Sequence, residues 1–341
     1  MGRYLGASRI VVASLACFIA GGILAGTLAL APPGTVAWAP DLLLVSLLNE
    51  GVVSPPGPVH AAVPADSGRT TVLVLGMDRR PVESTEALSR ADSLLLLTVD
   101  RSNHSASVLS IPRDLWVPIP VTDGRVIHDR INNAYLLGEQ TGYPGGGAGL
   151  ARATVEYNLG VRVHRYVVLD FEAFERAIDA IGGVEVNLPT ALVDPAFPTA
   201  DYGAMQVRIP AGQQHLNGQQ ALWFARSRYQ SSDFSRMARQ QQLMLAVRER
   251  LLQLDMIFRW PQLLAEQGTL INTDLGLSEA IDLARAGLGI PKDRITAQSL
   301  ELGYVYRGAV PGDPFVLFPD RPRIRQLVAQ LFPETSAPGS P

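Results

Sequence analysis

Three apolar runs, residues 71–75, 93–99 and 107–111, carry their flanking charges at ends that chain direction brings together. Asp78 follows the first run, Asp92 opens the second and Arg113 follows the third. Runs of this length separated by polar turns read as an antiparallel meander. Strand one then rises to Asp78, strand two descends from Asp92 to Asp100, and the turn at 101–105 sends strand three back up to Arg113. Two carboxylates and a guanidinium therefore share one sheet edge. The unbroken Leu94-Leu95-Leu96-Leu97 predicts a strand covered on both faces, with a short buried helix as the alternative that periodicity leaves open.

A second charged cluster follows at residues 224–241, FARSRYQSSDFSRMARQQ, which supplies Arg226, Arg228, Asp233, Arg236, Arg239 and Gln240. Across 235–254, Met237, Leu243, Met244, Val247, Leu251 and Leu254 fall on one helical arc, and Arg236 and Gln240 lie inside it. Asp233, beside Ser231 and Ser232, suits the N-terminal cap, so the positive end of the helix dipole points toward whatever these residues bind. An inward-facing arginine needs a carboxylate or an anionic ligand, because breaking a buried pair costs about 3–5 kcal/mol. The two clusters together read as a site for phosphate and a divalent metal. An internal Asp–Arg network that only locks the core is the competing reading.

Composition narrows the partners. With 341 residues and a 47% apolar fraction, the chain can build a substantial core. Lys292 is its one lysine against 28 arginines, a bias that carries no argument for phosphate by itself. A net charge of −3 and the lack of a basic tract argue against a nucleic-acid partner.

Residues 10–31 form an uncharged apolar stretch long enough to cross a hydrocarbon core of about 30 Å. Arg3 and Arg9 precede it and the next Lys or Arg is Arg69, which predicts a short cytoplasmic N-terminus at 1–9 and an extracytoplasmic remainder. Pro32 after Ala29-Leu30-Ala31 disfavours cleavage, so 10–31 is expected to stay as a transmembrane helix in the plasma membrane. The sole cysteine, Cys17, lies within this stretch, which leaves no disulfide for the exported part.

Residues 32–68, rich in Pro and small side chains, read as a juxtamembrane linker, 69–334 as the folded domain and 335–341 as a disordered tail. Helices are expected at 149–159, 171–181, 217–226 and 235–254, with strands at 166–169 and 184–186 and mixed elements over 278–332. This is an α/β pattern with a mixed, partly antiparallel central sheet flanked by helices, behind one N-terminal transmembrane helix. His60, His104, His128, His164 and His215 lack zinc-ligand spacing, with His104 and His128 in polar turns. Ser110, Ser227 and Ser235 lack triad partners, and Gly145-Gly146-Gly147 reads as a flexible surface turn. Trp223 and Phe224 are expected in the core.

The strings LGMDRR, RADSLLLLTVD, SIPRDLWV, RINNAY, DFEAFERAIDAIGGVEV, LNGQQALWFARSR and DFSRMARQQ, in this order behind one membrane span, resemble the LytR-CpsA-Psr family of cell-wall glycopolymer ligases. The resemblance runs over residues 71–254, with a weaker tail to 332. It implies a membrane-anchored phosphotransferase that takes a glycopolymer of the teichoic acid or capsular polysaccharide kind from a polyprenyl pyrophosphate carrier. The glycan and one phosphate pass to a peptidoglycan hydroxyl, and polyprenyl phosphate leaves.

By motif position, Asp78 and Asp92 resemble the family's acids for Mg²⁺ (or Mn²⁺), and Arg113, Arg226, Arg228, Arg236 and Gln240 its pyrophosphate-binding residues. Arg90 joins the pyrophosphate contacts and Asp233 is assigned to orientation. Asp92, Arg113 and Arg228 are the catalytic candidates, with Asp92 as base. The family's lipid tunnel between sheet and helices is implied without assignable residues. Ser93 and Arg130 stand where threonine and lysine are usual, which leaves Arg130 and Asn132 as uncertain contacts. A pyrophosphatase acting on the lipid carrier would use the same groups with water as acceptor, and a membrane-tethered lipid-binding regulatory module would keep the pocket without both acids.

Overall fold

A computed structural model describes residues 68–78, 90–199, 203–227, 233–253 and 271–332. The expected membrane helix, the linker up to 67, the tail, Arg228 and the side chain of Asp233 lie outside these described residues.

Strands β1 (Arg69–Met77), β2 (Ala91–Asp100) and β3 (Ser105–Ile111) form the antiparallel meander, with Leu73 opposite Leu96 and Leu96 opposite Leu109. A hairpin of β4 (Trp116–Pro120) and β5 (Val126–Arg130) follows, then helices α1 (Asn133–Thr141) and α2 (Gly146–Leu159). Next come β6 (Arg165–Leu169), α3 (Phe171–Ala180), β7 (Val184–Leu188), the hairpin β8 (Leu192–Pro198) and β9 (Ala204–Ile209), and β10 (Gly212–Leu216). The two helices of the second charged cluster are α4 (Gly218–Arg226) and α5 (Asp233–Leu251). The chain closes with β11 (Ile271–Thr273), α6 (Leu277–Gly289), β12 (Ile295–Ser299), the hairpin β13 (Val305–Val310) and β14 (Asp313–Pro319), and α7 (Arg321–Leu331).

The central sheet has the order β11-β6-β1-β2-β3-β12. Strands β6 and β12 run parallel to β1 and β3, and the other pairings are antiparallel. Strand β2 is buried on both faces. Leu95, Leu97 and Val99 enter one core with residues of α3 to α6, and Leu94 and Leu96 enter another with α1, α2 and α7. Each such side chain contributes about 1.5–3 kcal/mol, and a one-residue slip would exchange the two sets, so register is held from both sides.

Local signals account for the helix starts that matter. Asn217 accepts from the Gln220 N–H at 2.9 Å while the Gln220 side chain accepts from the Asn217 N–H at 3.2 Å, a capping box that begins α4. Asp170 caps α3 by accepting from the Ala173 N–H at 2.8 Å. In α5, Met237, Leu243, Met244, Val247 and Leu251 are buried as the arc predicted, and Phe224 is buried on α4 while Trp223 is half-buried.

Two readings are corrected. The segment Gly145-Gly146-Gly147 is no flexible surface turn: it opens α2 against α1, and a Cβ at Gly147 would fall 2.5 Å from the Tyr135 carbonyl oxygen. His128 lies in strand β5 rather than in a turn, because residues 126–130 pair with β4.

His164 closes the lower end of β6 onto β1. Its N–H donates to the Thr71 carbonyl at 2.8 Å, and its Nδ1 accepts from the Thr71 N–H at 3.0 Å. Protonating Nδ1 removes that acceptor. Burial, followed by the charges of Arg162 and Arg165, lowers the His164 pKa from its ordinary value. Below about pH 6.5 the unfolded chain therefore takes up a proton before the folded protein does, and stability falls as pH drops through this range. We expect His164→Gln, which keeps a neutral acceptor, to flatten the slope of melting temperature against pH as pH falls below about 6.5. An unchanged slope would assign the pH dependence to other groups.

Candidate active site

The register of β1 on β2 brings the charges together. Gly76 faces Ser93, and a bulge between Gly76 and Met77 lets Asp78 leave the ladder beside the start of β2. Asp92 lies one residue before Ser93, and Arg113 lies two residues past the end of β3, whose Ile111 faces Leu94. Arg113 Nη1 is 2.8 Å from Asp92 Oδ1. From the end of α4, Arg226 Nη2 reaches Asp78 Oδ1 at 3.4 Å. The guanidinium of Arg226 also stacks on Phe171, 3.8 Å from the ring centroid, with Phe197 at 5.3 Å.

Helix α5 docks on this edge through residues one turn apart. Arg236 Nη2 donates to the Asp92 carbonyl at 3.2 Å, and Gln240 Nε2 donates to Ser93 Oγ at 2.8 Å and to the Ala225 carbonyl at 3.3 Å. Arg236 is 3% exposed, so its charge is set within the apolar face of the helix as its periodicity requires.

These groups line one cavity of about 530 Å³. Asp78, Asp92, Arg113, Arg226, Arg236 and Gln240 all contribute to its wall. Its polarity is graded along the elements that build it. On α5 the lining passes from Arg236 and Gln240 to Leu243, Met244 and Val247, a rise of about 16 Å at 1.5 Å per residue. On β1 it passes from Asp78 down to Val74, and on β2 from Asp92 to Leu95. The cavity thus has a charged end at the sheet edge and an apolar shaft between sheet and helices.

The remaining candidates divide. Arg90 is exposed and is not among the cavity-lining residues; its carbonyl accepts from the Asp78 N–H at 3.4 Å. Arg130 bonds to Asp114 and Asp313 rather than lining the cavity, and the Asn132 N–H donates to the Arg113 carbonyl at 3.3 Å. Arg239 turns to the backbone, with Nε donating to the Phe224 carbonyl at 2.8 Å and Nη2 to the Ser227 carbonyl. Phe171, Phe197 and Asp194 were missed by sequence reasoning. Asp194 lines the cavity and accepts from Ser227 Oγ at 2.8 Å. Phe171 opens α3 whereas Asp194 and Phe197 lie in β8, so no single periodic pattern links the three.

A core lock and an anion site differ in whether the paired charges are sealed from the cavity. Asp–Arg pairs exist, as a locked network requires. They are not sealed, however: side-chain exposure is 18% for both Arg113 and Asp92, and 18% and 31% for Arg226 and Asp78. Guanidinia held at a cavity wall can fork onto an oxyanion, and the carboxylates offer the oxygen donors that hard divalent cations take.

The model of the LytR_cpsA_psr family matches residues 52–331. The chain belongs to the LytR_cpsA_psr family. A similar protein from Oceanobacillus iheyensis, the polyisoprenyl-teichoic acid–peptidoglycan teichoic acid transferase TagU, is 34% identical over 232 residues, covering 67% of this chain and 66% of the relative. The corresponding transferase TagV of Bacillus subtilis is 26% identical over 259 residues, covering 75% and 62%. Among the first curated relatives the match spans between about half and 66% of their length. The crystal structure of B. subtilis TagV superposes with a TM-score of 0.63 at 24% identity, covering 80% of this chain and 100% of that one, which shows the fold. A structure of TagT bound to LIIa-WTA superposes with a TM-score of 0.58 at 27% identity, covering 79% and 92%. The mixed α/β fold of the family is the fold of this chain.

Arg239 gives a direct test of the division between cavity and scaffold arginines. Replacing it with Met should leave buried carbonyls unmet and lower stability by about 1–3 kcal/mol, read by urea denaturation. A variant as stable as wild type would mean that Arg239 does not hold the end of α4.

Proposed function

We propose that this protein is a membrane-anchored phosphotransferase. It moves a glycopolymer with one phosphate from a polyprenyl pyrophosphate carrier to a hydroxyl of peptidoglycan and releases polyprenyl phosphate. One observation carries the reading: a cavity whose charged end is continuous with an apolar shaft, the shape and polarity of a lipid with a pyrophosphate head. The names of the relatives, teichoic acid transferases acting on peptidoglycan, and the TagT structure with its bound ligand supply the substrate class.

In this reading the lipid lies along Leu243, Met244 and Val247, and the two phosphates lie against Arg113, Arg226 and Arg236, with Gln240 beside them; Arg228, outside the described residues, is assigned by motif position alone. The acceptor oxygen attacks the phosphorus next to the sugar, the bond from that phosphorus to the bridging oxygen breaks, and the electron pair leaves with polyprenyl phosphate. Asp92 takes the hydroxyl proton. Charge grows on the nonbridging and leaving oxygens as this proceeds, so forked guanidinia stabilise the transition state more than the ground state. Phe171 under Arg226 keeps that guanidinium flat and aimed, which reduces the reorganisation left for the reaction.

The donor set fits a hard cation in part. Asp78 and Asp92 are carboxylates at one sheet edge, and among the described residues no group of three or more His, Cys, Asp or Glu surrounds a common point. Mg²⁺ or Mn²⁺ would therefore be held by these two acids together with substrate phosphate and water, as Mg²⁺ usually is. Such a cation, when bound, offsets charge on the phosphate oxygens. The anchor at 10–31 would keep the domain outside the plasma membrane, within reach of its lipid substrate and of peptidoglycan.

Incubation of the full-length protein with a polyprenyl pyrophosphate-linked glycan and peptidoglycan fragments should yield fragments carrying covalent glycan phosphate. Asp78→Ala and Asp92→Ala should each slow this by roughly 100- to 1000-fold while leaving lipid binding largely intact. Free phosphorylated glycan as the only product would replace the transferase with a pyrophosphatase.

A further inference from the structure

Five charged residues alternate in sign from the cavity wall to the far hairpin: Asp92, Arg113, Asp114, Arg130 and Asp313. Arg113 stands within reach of two carboxylates, Asp92 at 2.8 Å from Nη1 and Asp114 at 3.7 Å from Nε. Asp92 and Arg113 line the cavity, and Asp114 and Arg130 are not among its lining residues. A contact that drew Arg113 toward Asp114 would therefore draw it away from the cavity.

Asp114 is held elsewhere. Arg130 Nη1 lies 2.5 Å from Asp114 Oδ1, while Arg130 Nε and Nη2 fork onto the two oxygens of Asp313 at 2.6 Å each, and Nη2 also meets the Phe315 carbonyl at 3.0 Å. The backbone fixes the same junction, because the Leu317 N–H donates to the Asp114 carbonyl at 2.9 Å and Leu115 bridges Leu317. Arg130 is thus anchored by β14 and presents its remaining nitrogen to Asp114. We propose that Arg130 is a positioning residue that occupies Asp114 and so keeps Arg113 directed at Asp92 and the cavity.

The proposal rests on reading Arg113 as a phosphate-binding residue. It explains why three directed donors are used here: one ammonium nitrogen could not meet Asp114, both oxygens of Asp313 and the Phe315 carbonyl in this geometry. Asp313, first, and Asp114 hold the Arg130 pKa above its ordinary value, in keeping with a guanidinium surrounded by acids.

The test is a suppressor pair in the full-length protein, Arg130→Met and Arg130→Met with Asp114→Asn. Inorganic pyrophosphate binding is read by calorimetry and the place of Arg113 by crystallography. Arg130→Met should weaken pyrophosphate binding about tenfold with Arg113 turned onto Asp114, and adding Asp114→Asn should restore affinity to within about threefold of wild type. A residue that merely braces the hairpin gives no such rescue. A double variant no better than the single, or crystals of Arg130→Met with Arg113 still on Asp92, would overturn the proposal. If Arg130→Met does not fold, Arg130→Gln, which also removes the charge that occupies Asp114, makes the same comparison with and without Asp114→Asn. Wild type that binds no pyrophosphate would instead sink the functional reading, and the position of Arg113 in the variant crystals would still decide the role of Arg130.

Discussion

Burial of β2 on both faces is the constraint from which the rest follows. Leu94 to Val99 face two cores alternately, so no position along the middle of the strand can carry a charge. Polar groups are driven to the strand ends. The meander then places the top of β2 beside the end of β1 and the exit of β3, where Asp78, Asp92 and Arg113 collect. Helix α5 covers one face of the sheet with its apolar side, and the turn that reaches the edge brings Arg236 and Gln240 onto Asp92 and Ser93. A cavity with one charged end results from packing two apolar layers on a strand that excludes charge.

Arginines do two kinds of work in this molecule. Arg113, Arg226 and Arg236 face the cavity, and their partners are carboxylates or a carbonyl at the sheet edge. Arg239, Arg248 and Arg250 instead donate to carbonyls of Phe224, Ile290 and Ile181, tying α5 to its neighbours. Burial lowers the pKa of Arg239 and Arg248, and the carbonyl contacts offset that desolvation. Charge alone therefore does not mark a site; position relative to the cavity does.

Much of this could be read from the chain because it depends on local rules. The meander follows from run length and turn polarity, and the inward Arg236 and Gln240 follow from helical phase. The helices expected at 171–181 and 217–226 stand within one residue of those bounds. What escaped depends on contacts between distant segments. Arg239 shares the stretch that holds Arg236, and only the fold sends it to the backbone rather than the cavity. Phe171 and Phe197 flank Arg226 from two different elements, a pairing with no periodic trace. The bond from Arg130 to Asp313 spans 183 residues and needs the β13–β14 hairpin in place. Gly147 looked like a loop residue because close helix approach and turn formation call for the same side chain.

On the proposed function, one cavity holds a pyrophosphate head at its charged end and a prenyl chain in its shaft. The most direct measurement compares the melting shifts produced by polyprenyl monophosphate and polyprenyl pyrophosphate of equal chain length. Both lipids should stabilise the protein through the shaft, since a ligand at 100 times its dissociation constant adds about 2.7 kcal/mol. The pyrophosphate should stabilise it further, and Arg226→Lys, which keeps charge but loses the fork, should erase most of that difference. Equal shifts for the two lipids in both proteins would contradict the account.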